Sequence, residues 1–174
     1  MTRASSRERA RRTAGLIGVL WVVAALVLAP SSESGPQAST ANVKIFMSQG
    51  AVGNRCNRVV AVRRIVHRPA LLAGTMRALL AGPTAAERGK GYGGWFSART
   101  AGMLRSVRIA GGVAYIDFRD FSRIIPNAST SCGSGLLFAQ LDRTATQFAT
   151  VERAIYSFNG SRSAFYNWLQ LEVP

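Results

Sequence analysis

The chain has 174 residues, of which 48% are hydrophobic and three are tryptophan, and it carries a formal charge of +14. That length holds one domain and an extension, and that apolar content excludes an intrinsically disordered chain. Two cysteines and a single histidine exclude a Cys/His zinc centre, which needs four such ligands.

Residues 1–13 are a basic N-region: Arg3, Arg7, Arg9, Arg11 and Arg12, offset by Glu8, give it a charge of +4. Residues 14–29 (AGLIGVLWVVAALVLA) carry no charge at all. Positive residues ahead of an apolar run leave the N-terminus inside and carry the remainder outside the membrane. The run is short for a spanning helix, which wants about 20 residues, and slightly long for a signal-peptide core. Val27-Leu28-Ala29 offers the small residues of a cleavage site, but Pro30 would follow the cut, where peptidases work poorly. A single-pass transmembrane anchor is therefore the preferred reading, with a secreted ligand-binding protein released by cleavage as the alternative. Residues 30–41 (through SSESGPQAST) form a Ser/Pro/Gly linker.

Residues 42–174 are the expected domain. From residue 41 onward 17 basic and 6 acidic side chains leave an excess of +11. That excess steers anionic partners toward the domain without naming them. Only Lys44 and Lys90 are lysine, and this arginine- and alanine-rich usage points to a GC-rich bacterial genome.

Residues 42–47 alternate Val43, Ile45 and Met47 against Lys44, the pattern of a first strand. Cys56 lies in the small, polar connection that follows. Residues 58–66 are β-branched and place Val60, Val62 and Val66 on one face, a second strand. Pro69 suits the first turn of a helix, along which Leu72, Met76, Leu79 and Leu80 form one stripe. Gly82-Pro83 stops that helix. Residues 85–101 are expected to be a Gly/aromatic loop. Residues 103–110 and 113–118 are two strands joined at Gly111-Gly112, a hairpin dipeptide. Ala114, Ile116 and Phe118 share one face of the second. Ser131 or Ser134 could cap a second helix with Leu137, Leu141, Ala145 and Phe148 on one side. Residues 151–158 are a last strand, ended by Asn159-Gly160, and residues 163–170 add a short helix carrying Phe165, Tyr166 and Trp168. The order β-β-α-β-β-α-β predicts an α+β fold in which one mixed sheet packs against two helices.

Outside the cytoplasm, an even pair of cysteines is most simply one disulfide, Cys56–Cys132. It would close a loop of about 75 residues, which the chain-entropy account values at roughly 4 kcal/mol.

Several segments together resemble the GerMN domain family, named for a spore germination and sporulation protein. They are residues 76–84 (MRALLAGPT), 104–109 (LRSVRI), 112–118 (GVAYIDF), Gln140-Leu141, residues 144–148 (TATQF), Val151 and Asn159-Gly160. The resemblance runs from about Val43 to Gly160. It implies an extracytoplasmic, envelope-associated domain without known catalysis, similar in fold to the ring-building modules of secretion and sporulation assemblies, which act through protein–protein contact. The chain departs from the family's namesake in having one copy of the domain instead of two, and no lipobox precedes it, so a role in sporulation does not follow.

The catalytic inventory is thin. His67, the lone histidine, ends a strand beside Arg68-Pro69, with no nucleophile elbow anywhere in the chain. Asp117 and Asp120 could form a carboxylate pair for a wall- or glycan-acting hydrolase. Asp117 falls on the family's hairpin aspartate, however, and the favoured reading has it meeting an arginine or capping a turn. Gly89, Gly91, Gly93 and Gly94 have the wrong spacing for a phosphate loop. No metal, cofactor or nucleic acid is expected. The candidate binding surface is Tyr92, Trp95 and Phe96, set among glycines with Arg88, Lys90 and Arg99 nearby. Aromatics beside cations stack on sugars or anchor protein interfaces. The competing reading has Trp95 and Phe96 tucked under the loop to pin it to the core. Expected partners are an envelope protein or an anionic cell-wall polymer.

Overall fold

In the first strand, β1 (Thr40–Gln49), Val43, Ile45 and Met47 turn inward and are buried, while Asn42 and Lys44 stay exposed. The computed structural model describes residues 39–50, 57–125 and 127–174. The basic N-region, the apolar run 14–29, most of the linker and Cys56 lie outside the described residues. Among the described residues no helix is long and apolar enough to cross a membrane.

β2 (Val60–His67) pairs antiparallel with β1. Pro69 precedes the first helix instead of opening it: α1 (Leu71–Leu80) starts two residues later, with Ala70 as its N-cap. Its Leu72, Met76, Leu79 and Leu80 are buried, as the stripe requires. Gly82 ends the turn at φ +73, and a Cβ there would lie 2.3 Å from the Phe96 carbonyl oxygen, so only glycine fits.

The expected loop over residues 85–101 contains two short elements. Thr84 and Glu87 make a capping box at the start of α2 (Ala85–Gly89), and β3 (Tyr92–Gly93) pairs antiparallel with the end of β1. β4 (Leu104–Ala110) and β5 (Val113–Phe118) form the expected hairpin, with Gly111 and Gly112 both at positive φ, as a type I′ turn demands. Ala114, Ile116 and Phe118 are fully buried. α3 (Ser131–Ala145) is capped by neither serine; the Thr130 side chain accepts from the Gly133 N–H at 3.0 Å. Phe148 lies beyond its end. β6 (Arg153–Phe158) lies parallel to β5, which α3 makes possible as a crossover. Ser161 then caps α4 (Arg162–Trp168), and Phe165 is completely buried among Phe118, Tyr156 and Phe158.

The fold is α+β, and its strands divide into two three-stranded sheets, β2-β1-β3 and β4-β5-β6, where one sheet was expected. Among the described residues four helices accompany them. The division has a definite cause. Lys44 and Phe46 form non-hydrogen-bonded pairs with Arg63 and Ala61 of β2, so their backbone groups face the other edge of β1. α3 and the turn that follows it fill that edge with side chains. Gln147 accepts from the Lys44 N–H at 2.8 Å and donates to the Lys44 carbonyl at 2.6 Å. Thr144 accepts from the Phe46 N–H, and Gln140 donates to the Phe46 carbonyl, both at 3.2 Å. β3 takes over at Ser48. No room is left for another strand beside β1.

Gln140 is buried and also accepts the Trp95 N–H at 3.0 Å. Replacing it with Leu strands two backbone groups, each at a cost of about 1–3 kcal/mol. Gln140→Leu is therefore expected to lose about 2–4 kcal/mol in denaturant melts, whereas Gln147→Leu, whose bonds are exposed, loses less.

Candidate functional site

The Gly/aromatic segment hangs from β1 and α3. Its rings do not share an exposed platform. Phe96 is 3% exposed and meets Phe121 edge-on at 6.1 Å. The Trp95 indole N–H donates to the Gly133 carbonyl at 2.9 Å, and Tyr92 is half-buried in β3. Gly94 is required between them: a Cβ there would come within 2.2 Å of the Gln140 amide. Trp95 and Phe96 thus lie in the pinning arrangement. Arg88, Lys90 and Arg99 are exposed, and Arg88 donates to the Pro83 carbonyl at 2.6 Å. Trp95 also walls a mainly apolar cavity of about 320 Å³ together with Leu136 and Cys132. Cys132 carries no free thiol. Its expected partner Cys56 lies outside the described residues.

The two candidate carboxylates have separate occupations. Asp117 Oδ2 accepts from Arg105 at 2.9 Å, while its Oδ1 accepts from the Ser157 hydroxyl at 2.7 Å and the Gly160 N–H at 2.8 Å. It ties the hairpin to the end of β6. Asp120 accepts the Ser122 N–H at 2.8 Å in a local turn. His67 is exposed at the end of β2. Among the described residues no group of His, Cys, Asp or Glu side chains could hold a metal ion.

Two polar pairings went unseen in the sequence. Arg64 and Glu87 form a bidentate ion pair with both contacts at 2.7 Å, joining β2 to α2. The hydrogen bond from Arg64 is the largest influence holding the Glu87 carboxyl at about 2, below its ordinary 4.5. The second pair is deeper: the fully buried Tyr156 hydroxyl donates to Asp142 Oδ1 at 2.7 Å. Burial raises the Asp142 carboxyl above its ordinary value, and the Tyr156 hydrogen bond only partly offsets that rise. Neither pair has a sequence signature, since each joins residues far apart in the chain or on different elements.

Over residues 45–163 the sequence matches the family model described as Germane, sporulation and spore germination. The chain belongs to the Germane family. Among solved structures it is similar to the tandem GerMN domains of the sporulation protein GerM from Bacillus subtilis, at 18% identity and a TM-score of 0.45. That match covers 71% of this chain and 40% of the other, so the chain spans well under half of the tandem protein. It is also similar to the first GerMN domain of the same protein, at 16% identity and a TM-score of 0.45, covering 70% of this chain and 84% of that one. No curated protein matches. α4 falls almost wholly beyond the matched residues, yet its Phe165 is part of the core.

Trp95→Ala is expected to lower stability by roughly 2–4 kcal/mol, read as a fall in Tm, because the indole packs on the core and holds the α3 start. The two acids predict opposite pH slopes. Glu87, with a depressed folded pKa, contributes stability above pH 4.5 that is lost as pH falls toward about 2. Glu87→Gln should lower stability at neutral pH and flatten that acid limb in urea melts. Asp142, raised in the fold, favours the native state most below the ordinary aspartate value, and that advantage is lost as pH climbs through its folded pKa. Asp142→Asn keeps an acceptor for Tyr156 and should leave neutral-pH stability equal or higher.

Proposed function

We propose that this Germane-family chain is a non-enzymatic interaction module of the bacterial cell envelope. Residues 14–29 hold it on the outer side of the membrane, and it binds an envelope protein or an anionic envelope polymer. The observation that carries this reading is how the carboxylates are used. Glu87, Asp117, Asp120 and Asp142 are each engaged in holding the fold together. A general acid or base needs a carboxyl within reach of a substrate proton. Asp117, with three donors around it, is a structural knot, and Asp120 serves a separate turn.

Exposed arginines meanwhile outnumber what these acids can neutralise. Among the described residues two ion pairs form, Arg64–Glu87 and Arg105–Asp117. The remaining cations present a field that attracts anionic partners. The absence of a free thiol at Cys132 accords with an oxidising compartment and a Cys56–Cys132 bridge.

A reporter fused after Pro174 is expected to be active outside the cytosol; activity confined to the cytosol overturns the topology and the binding role with it. The purified full chain is expected to show no turnover of wall polymer. Turnover that disappears in Asp117→Ala/Asp120→Ala would install the hydrolase instead. Oxidatively purified, denatured protein should show no reactive thiols, and finding two removes the bridge.

A further inference from the structure

The hydrogen-bond parity that turns Lys44 and Phe46 of β1 toward α3 also fixes the opposite strand. Arg64 and Val62 bond to β1, so Ala61, Arg63, Ile65 and His67 aim their backbone groups away from it. β2 is the outer strand of its sheet. Arg63 spends its carbonyl on the Arg64 guanidinium at 2.9 Å. Among the described residues nothing bonds to the outward N–H and C=O of Ile65. Ile65 is 72% exposed, the most of any large hydrophobic residue among the described residues. Edge strands are ordinarily blunted by charge, proline or a covering element. Here Arg63 and Arg68-Pro69 flank the edge, and an isoleucine stands at the open position between them.

Beside that edge runs a groove of about 400 Å³ between β2 and α1, lined by Ile65, His67 and Arg68 on one side and by Gly74, Arg77 and Ala78 on the other. Gly74 sets how closely the helix lies against the strand, since a Cβ there would stand 3.1 Å from the Val66 Cβ. Its charge has one sign. Arg68 and Arg77 line it, Arg63 stands on the strand next to Lys44, and no carboxylate forms an ion pair with any of them among the described residues. A second groove, on the β4 side of α1, is lined by Pro69, Leu72, Val107, Ile109 and Phe148 among others and has no charged residue.

We infer that the open edge of β2 takes an extended acidic segment of another protein, which adds a strand beside Ile65 and lies in the groove against α1. Backbone pairing supplies the affinity, as in strand addition generally. The cations select the sequence: an apolar side chain rests on Ile65 on the outer face, and the carboxylates at alternate positions turn to the other face and meet Arg68 and Arg77 on the groove side. The inference rests on the interaction-module reading and narrows its partner to a protein with this chemistry.

The test uses the full chain in mild detergent with a fluorescent peptide alternating Glu and Val. Saturable binding is expected, together with loss of binding when alternate peptide nitrogens are methylated. Arg77→Glu should weaken it about tenfold or more. Ile65→Pro removes one outward N–H and no bond to β1, so it should abolish binding while the melt stays cooperative. Should that variant fail to fold, the methylated peptide on wild-type protein decides alone. Equal affinity for the methylated peptide, equal affinity for a Lys/Val peptide, or no binding overturns the inference. So does polyphosphate that binds wild type and Ile65→Pro alike and displaces the peptide, which would make the site a polymer surface. In cells, a photocrosslinker that captures a partner from position 92 but not from 65 overturns the edge and spares the module; capture from neither overturns both.

Discussion

The fold depends on the way one helix hydrogen-bonds the side of one strand. Gln140 and Thr144 stand at i and i+4 on α3 and Gln147 follows in the turn just past its end, together one polar stripe beside the apolar stripe of Leu137, Leu141 and Ala145. The apolar stripe enters the core, and the polar stripe satisfies the backbone of Lys44 and Phe46. An edge strand whose backbone is met by side chains offers no template to a neighbouring strand. Sheet β2-β1-β3 therefore stops where it does, and α3 cannot slide along it without leaving buried groups unpaired. Gln140 extends the same device to a third segment by holding the Trp95 N–H. The Gly/aromatic connection, which looks loose by composition, is in consequence fixed in place.

This interaction also separates what the sequence reveals from what it conceals. The α1 stripe, the Gly111-Gly112 hairpin and the inward face of β5 are local patterns, so periodicity and turn chemistry suffice to find them. The same holds for the Gly82 stop. The partition into two sheets is not local. It is decided by amide and hydroxyl groups about a hundred positions from the strand they serve, and on a helix wheel these look like solvated residues. The family resemblance marked Gln140, Thr144 and Gln147 as characteristic without giving the reason for them. Trp95 and Phe96 were open between surface and core because a ring among glycines has no period. Asp142 has no local signal, because its partner Tyr156 stands on a different element.

The charge balance follows from the same economy. The domain has few carboxylates, and the fold uses four of them for caps, turns and cross-links. Cations remain along β2, α1 and the hairpin. Arg108 lies over the Tyr115 ring at 4.2 Å and Arg143 near the Phe46 ring at 5.5 Å, so two of them find aromatic faces in place of acids. The net charge itself is set by composition; what the fold decides is that few carboxylates are left to face the guanidinium groups on the surface.

β1 is the first described element, and it is gripped along both flanks, by the β2 ladder on one and by α3 and β3 on the other. A pull on the N-terminal side of the chain enters the domain at Thr40 and runs lengthwise along this strand. Such a load must shear many bonds at once instead of peeling them singly. The strand that receives those side chains is in this way also the part of the domain that resists a lengthwise load from Thr40.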